Sequence, residues 1–276
     1  MIDPGLQKQS RKGKMVVICS AKGGVGKTTL AVNLAIALHK KKLQIALMDG
    51  DFQFGDVNVA MDIESSFSIS DVAERFETLD SFSLNNYLFK HTSGVRILQA
   101  PERPELADLI TPEIINEVTD FILEDYHYLI VDTGVGLNDQ TLALIEKADV
   151  ILLMTTLELI AIKNTKRMLQ ILQTLEMDEK VSIVLNRSTM ESIIQIDQVP
   201  QILQMDHIYS IPNNFQVASK SLNLGIPFVI NQPSCDLAKA IFKIAQHLDS
   251  NEPMALQKRQ TLLEKMLSGN RKKRRE

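Results

Sequence analysis

Residues 22–29 read Lys-Gly-Gly-Val-Gly-Lys-Thr-Thr, placed between the apolar stretch Met15-Val16-Val17-Ile18-Cys19 and the apolar-rich segment Leu30 to Leu38. A buried strand, a glycine turn and a helix N-terminus in that order form a phosphate-binding loop, which constrains the fold at its first crossover. Glycines at 23, 24 and 26 let backbone N–H groups converge on phosphate oxygens without a Cβ in the way. The helix that opens at Thr28 and Thr29 adds unpaired amides and the positive end of its dipole. Lys27 is placed to neutralise the β- and γ-phosphates, and the Thr28 hydroxyl to sit on Mg²⁺. Lys22, Gly23, Gly24, Val25, Gly26, Lys27, Thr28 and Thr29 are therefore the candidate residues for binding ATP.

The rest of the chain continues the alternation. Continuous apolar runs at Met15–Ser20, Gln44–Met48, Val95–Leu98, Tyr128–Val131, Val150–Met154, Val181–Leu185 and His207–Ile211 read as buried parallel strands. Helical patterns lie between and after them at Thr28–Lys40, Pro112–Glu124, Asp139–Lys147, Ile160–Leu175, Asp197–Leu203, Asn214–Leu224 and Asp236–Leu248. This predicts an α/β fold: a doubly wound, mostly parallel sheet with helices on both faces, as in a P-loop NTPase. Ligands of such sheets bind beyond the carboxyl ends of the strands.

Two further segments fall at such ends. Asp49-Gly50-Asp51 places two carboxylates where one can order an attacking water and the other can hold the metal shell or the chain above. Asp132-Thr133-Gly134-Val135-Gly136 follows an apolar strand, and an aspartate there commonly holds Mg²⁺ through water or the loop threonine, which makes Thr28 and Asp132 the candidate metal residues. Asn186 ends another strand, where an amide can read the donor–acceptor edge of adenine, and Arg187 can stack on the ring. Ile211-Pro212-Asn213-Asn214 opens the following loop.

With its first lysine included, Lys22-Gly-Gly-Val-Gly-Lys27-Thr28 resembles the deviant Walker (SIMIBI) loop of the MinD/ParA superfamily of ATPases. The resemblance implies that Lys22 crosses a nucleotide-sandwich homodimer to the partner's phosphates. It also implies that Asp51, the second aspartate of Asp-x-Asp, activates water, making Asp51, Lys22 and Lys27 the catalytic candidates. Asp132 and Gly136 match the family's Asp-x-x-x-Gly, and Asn186, Arg187 and Pro212 its base-binding elements. Branches that hold metals or clusters on paired cysteines are disfavoured, because the chain has only Cys19 and Cys235. Phe54-Gly55-Asp56-Val57-Asn58-Val59 and Ala100-Pro101-Glu102-Arg103-Pro104-Glu105 look like CpaE/TadZ pilus-assembly ATPases, while Asp132-Thr-Gly-Val-Gly136 is closer to the FlhG spelling. The function expected is an Mg²⁺-dependent switch ATPase, slow until a partner stimulates it, that positions a pilus, flagellum or division site. The alternative is a ParA-type partition ATPase that binds DNA through basic ends.

The net charge of −4 over 276 residues is unevenly spread. Residues 1–14 carry about +3 and residues 254–276 about +6, leaving an acidic body. The domain organisation expected is a basic extension (1–14), the ATPase domain (15–250) and a basic amphipathic tail (251–276). Within the tail, Leu256, Leu262, Leu263, Met266 and Leu267 share one arc of a helical wheel, with Lys258 and Lys265 opposite and Arg259 intruding. Such a tail can meet an anionic membrane surface, a partner protein or its own body; DNA is the less favoured partner. No apolar run approaches the roughly 20 residues needed to span a bilayer, and no signal peptide is recognisable at the N-terminus. The expected location is cytoplasmic, with a peripheral position on the inner face of the cell membrane open if the tail binds lipid.

Overall fold

The computed structural model describes residues 13–64, 66–206 and 208–250. The expected basic extension, apart from its last two residues, and the expected amphipathic tail lie outside the described residues. The elements in chain order begin with β1 (Lys14–Ser20), α1 (Lys27–His39) and β2 (Ile45–Gly50). Short helices α2 (Val57–Ala60), α3 (Ile69–Glu74) and α4 (Ser81–Leu84) lead to β3 (Phe89–Lys90) and β4 (Arg96–Leu98). Then come α5 (Pro112–Asp125), β5 (Tyr128–Val135), α6 (Asp139–Lys147), β6 (Val150–Thr155), α7 (Leu159–Thr174) and β7 (Val181–Leu185). The chain closes with α8 (Val199–Leu203), β8 (Ile208–Ser210), α9 (Phe215–Asn223), α10 (Phe228–Asn231) and α11 (Asp236–Asp249).

The strands form one eight-stranded sheet in the order β3-β4-β2-β5-β1-β6-β7-β8. Every pairing is parallel except β3 with β4. Strand β1 sits centrally because both its faces are apolar: Met15, Val16, Val17, Ile18 and Cys19 are all fully buried. Its side chains alternate between two cores. Met15, Val17 and Cys19 join the core that also takes in residues of α5, α6 and α7, while Val16 and Ile18 join the one with residues of α1, α10 and α11. Inside α1, buried Asn33 accepts a hydrogen bond from Val229 N at 3.0 Å and donates to Thr29 O at 2.8 Å. It thereby ties α10 to the helix that opens at the phosphate loop.

Two differences from the sequence reading bear on the site. The apolar pattern of β5 ends at Val131, yet the strand runs on to Val135. Asp132 pairs in register with Asp49 on one side and Ile18 on the other, so ladder bonds to two neighbours carry the strand past its last apolar residue. Asp49 and Gly50 likewise belong to β2 rather than to the loop after it. The antiparallel β3 and the short helices α2, α3, α4 and α10 were not expected, because segments of two to six residues are too short to show a period.

Candidate functional site

The loop between β1 and α1 turns on two glycines in the left-handed region, Gly24 at φ 73° and Gly26 at φ 98°. Gly26 is the N-cap of α1 and has no side chain to satisfy the first-turn amides, and no acidic residue occupies that turn. Those N–H groups are left for an external anion. Gly23 packs so that a Cβ there would lie 3.6 Å from Val135.

Beneath the loop, Thr28 Oγ1 donates to Asp132 Oδ2 at 2.6 Å. The other oxygen of Asp132, Oδ1, is buried and has no hydrogen-bond partner among the described residues. Burial pushes the Asp132 carboxyl up to about 7, against the lowering pull of Thr28 and Lys27, with Asp51 and Asp56 raising it further. The sequence pairing of Thr28 with Asp132 is thus realised in space.

The two carboxylates of Asp49-Gly-Asp51 separate in role. Asp49 is buried and accepts N–H bonds from Asp51 at 3.2 Å and Val57 at 3.1 Å, so it anchors both ends of the intervening loop. Its carboxyl is raised well above the ordinary range, first by burial and then by Asp132. Gly55 passes so close that a Cβ would lie 2.3 Å from Asp49 Oδ2. Asp51 is half-buried, accepts from Phe54 N at 3.2 Å, and its carboxyl lies 3.5 Å from where a Cβ on Gly134 would stand. A β2-end carboxylate and the β5 end therefore face one another with nothing bulkier than a glycine between them.

Lys22 is ion-paired with Glu158 at the start of α7, and its carbonyl accepts from Ser20 Oγ at 2.8 Å. Within one chain this lysine therefore has a partner, and Glu158 is a site residue that sequence reading missed. Its only signal was its place at the carboxyl end of β6.

A cavity of about 450 Å³ opens beside the loop. Lys27, Thr28, Asp51, Asn186, Arg187, Pro212, Asn213 and Phe215 are among its walls. Asn186 and Arg187 stand where the sequence placed them, at the end of β7, but their polar atoms are directed at the phosphate loop. Asn186 Nδ2 donates to Val25 O at 2.8 Å, Asn186 Oδ1 accepts from Arg187 N at 2.8 Å, and Arg187 Nη2 donates to Gly24 O at 3.2 Å. Phe54 and Phe215, 73% and 67% exposed, also line the cavity and carry no sequence signal of their own. Val135, which lines the cavity, and Leu159 and Ile160 at the start of α7 are more than half exposed. Cys19 is buried in β1 with its thiol pushed up to about 12 by burial, and Cys235 Sγ accepts from Ala238 N at the start of α11. Among the described residues no helix is long and apolar enough to cross a membrane.

Comparison with known proteins agrees with this fold. The ParA family profile, described as NUBPL iron-transfer P-loop NTPase, matches residues 11–249. An uncharacterized ATP-binding protein of Methanocaldococcus jannaschii is 27% identical over 258 residues, covering 92% of this chain and 95% of that protein. The septum site-determining protein MinD of Thermotoga maritima is 26% identical over 228 residues, covering 79% and 82%. The structure of MinD from Pyrococcus horikoshii in complex with Mg-ADP superimposes with a TM-score of 0.76 at 22% identity, covering 86% of this chain and 96% of that one.

Proposed function

Because this chain belongs to the ParA/MinD family of P-loop NTPases, we propose that it is an ATP-dependent dimerising switch whose hydrolysis of ATP to ADP and phosphate resets it. The reading is carried by one observation: an uncapped, glycine-turned helix N-terminus stands over the Thr28–Asp132 pair, beside a cavity of about 450 Å³. A nucleotide needs an anion cradle and an adjoining cleft of roughly 300–1,000 Å³.

The chain's own groups divide the work. The loop amides and Lys27 hold the β- and γ-phosphates. Asp51, set against Gly134 at the open side of the loop, orders the attacking water; phosphoryl transfer needs mainly such placement and charge neutralisation. Asp49 keeps Asp51 in place through the amides of residues 51 and 57. Pro212 and Phe215 line the cavity and would flank a bound base.

The residues fit a divalent cation. Thr28 supplies a hydroxyl and Asp132 a buried, unpartnered oxygen. The remaining ligands fall to phosphate oxygens and water, the usual arrangement for Mg²⁺. When bound at Thr28 and Asp132, Mg²⁺ would supply positive charge that neutralises the transferring phosphoryl group.

Lys22, paired to Glu158 at the start of α7, and the exposed apolar side chains of Val135, Leu159 and Ile160 support a second copy docking on this face. Lys22 would exchange its own Glu158 for the partner's phosphates. The cellular use we propose is placement of a surface assembly such as a pilus, flagellum or division site, with the basic C-terminal segment reaching an anionic membrane or partner protein. The test is Lys22→Ala. It should bind Mg-ATP like the wild type yet sediment as a monomer; an unchanged ATP-driven dimer would remove Lys22 from the interface. Liposome co-sedimentation before and after truncation at Pro253 tests the membrane arm.

A further inference from the structure

We infer that Phe215 stacks on the base of a bound nucleotide, so that α9 supplies affinity for any base and leaves the choice between bases to other groups. The inference rests on the proposal that the phosphate loop binds a nucleoside triphosphate. Helix α9 meets the cavity with Phe215, Ala218, Ser219, Leu222 and Asn223. Those positions recur at helical spacing, so a single face of the helix forms that wall. Ala218 and Leu222 are half-buried against the core that holds residues of α1, α10 and α11. Phe215, at the front of the same face, is 67% exposed, and its ring stacks on no other ring among the described residues. The cavity of about 450 Å³ that it lines also takes in Lys27 and Thr28. A triphosphate held at the loop therefore carries its base into the space this open ring borders.

The frame that carries Phe215 is already set by the chain itself. Ile211 N donates to Leu185 O and Ser188 N donates to Ile211 O, both at 2.9 Å, which ties the loop before α9 to the end of β7. Asn213 N donates to Thr189 Oγ1 at 3.0 Å. Asn214 caps α9 by accepting from Val217 N at 3.1 Å, so Phe215 enters the helix in a defined direction. A ring held on such a frame loses little freedom when a ligand stacks on it. The other exposed ring of the cavity, Phe54, is carried differently, because its N–H is held by Asp51 Oδ1 and it belongs to the water-ordering loop. Asn186 keeps half of its bonding capacity free of the chain and can read the base edge, which a stacked ring does not do. Stacking is tolerant because every base has a π-face.

The experiment measures binding of Mg-ATP, Mg-GTP and inorganic tripolyphosphate with Mg²⁺ to the wild-type full chain and to Phe215→Ala. The substitution should weaken Mg-ATP and Mg-GTP alike by roughly five- to 150-fold, the range for removing one base–aromatic stack. Tripolyphosphate has no base and should keep its wild-type affinity. Phe215→Trp should bind Mg-ATP at least as tightly as the wild type. Because the chain contains no Trp, the emission of that variant reports on position 215 alone. Mg-ATP should quench it and tripolyphosphate should not. An unchanged ATP affinity in Phe215→Ala, an equal loss for tripolyphosphate, or a base-dependent loss in Phe54→Ala in its place would overturn the inference. A wild-type chain that binds none of the three ligands would instead refute the nucleotide reading itself.

Discussion

Replacing Asp132 by Asn tests the buried carboxylate beside Thr28 through folding stability alone, without nucleotide or metal. The carboxyl is raised from 3.8 to about 7, chiefly by burial. A raised carboxyl binds its proton more tightly in the folded chain than in the unfolded one. Its contribution to stability is therefore fully present below about pH 4 and is lost as pH rises through about 7. At about 1.36 kcal/mol for each pH unit, the span from 3.8 to about 7 corresponds to a loss of roughly 4 kcal/mol. Asparagine cannot ionise and still accepts the Thr28 hydroxyl. It does place an amide NH₂ where Oδ1 now lies buried without a partner, which costs about 1–3 kcal/mol at every pH. Asp132→Asn should thus be less stable than wild type by about 0–2 kcal/mol near pH 4.5 and more stable by about 1–3 kcal/mol near pH 8. Asp49, which Asp132 helps to raise, relaxes in the variant and shifts the difference the same way. Urea unfolding at a series of pH values measures this directly, since carboxyls untouched by the substitution cancel in the difference. A gap between the two proteins that stays constant from about pH 4.5 to pH 8 would refute the reasoning.

Three other substitutions separate the parts of the site. Asp51→Ala should lower ATP turnover by about a hundredfold or more, as for loss of a positioned base, while leaving the ATP-bound dimer intact; unaltered turnover removes Asp51 from the mechanism. Gly26→Ala forces a side chain onto φ 98° and against Asn186, and should cost about 2–4 kcal/mol of stability by urea unfolding; a wild-type midpoint would mean the loop can relax. Glu158→Gln frees Lys22 from its intrachain partner. Because an exposed pair contributes at most about 1 kcal/mol and a dimer gives up two of them, the ATP-dependent dimer should tighten by no more than about thirtyfold in sedimentation equilibrium; a weaker dimer would place Glu158 on the partner-binding side instead.

How far the sequence carried the account differs from element to element. The phosphate loop and α1 were legible because glycine spacing, an apolar strand and a long helical period all coincide at residues 15–39. The parallel part of the sheet, seven of its eight strands, followed from apolar runs buried on both faces, such as β1 and β6. Strand β5 was cut short because periodicity registers only apolar residues, whereas Asp132 and Thr133 are held in the sheet by ladder bonds to β1 and β2. The division of labour between Asp49 and Asp51 depends on which backbone amides return to which carboxylate, and spacing alone does not encode that. The turn of Asn186 toward Val25 depends on contact across 161 residues and on the backbone angle of Arg187. Glu158 met Lys22 only once β1 and β6 were neighbours. Phe54 and Phe215 read as ordinary loop and helix residues until the cavity was formed around them.

Sedimentation velocity of the full chain with Mg²⁺ and either ADP or a non-hydrolysable ATP analogue addresses the central claim most directly. The account predicts a monomer with ADP and a dimer with the analogue, since only the γ-phosphate gives Lys22 a partner to prefer over Glu158. The same sedimentation coefficient with both nucleotides, each shown to be bound, would contradict it.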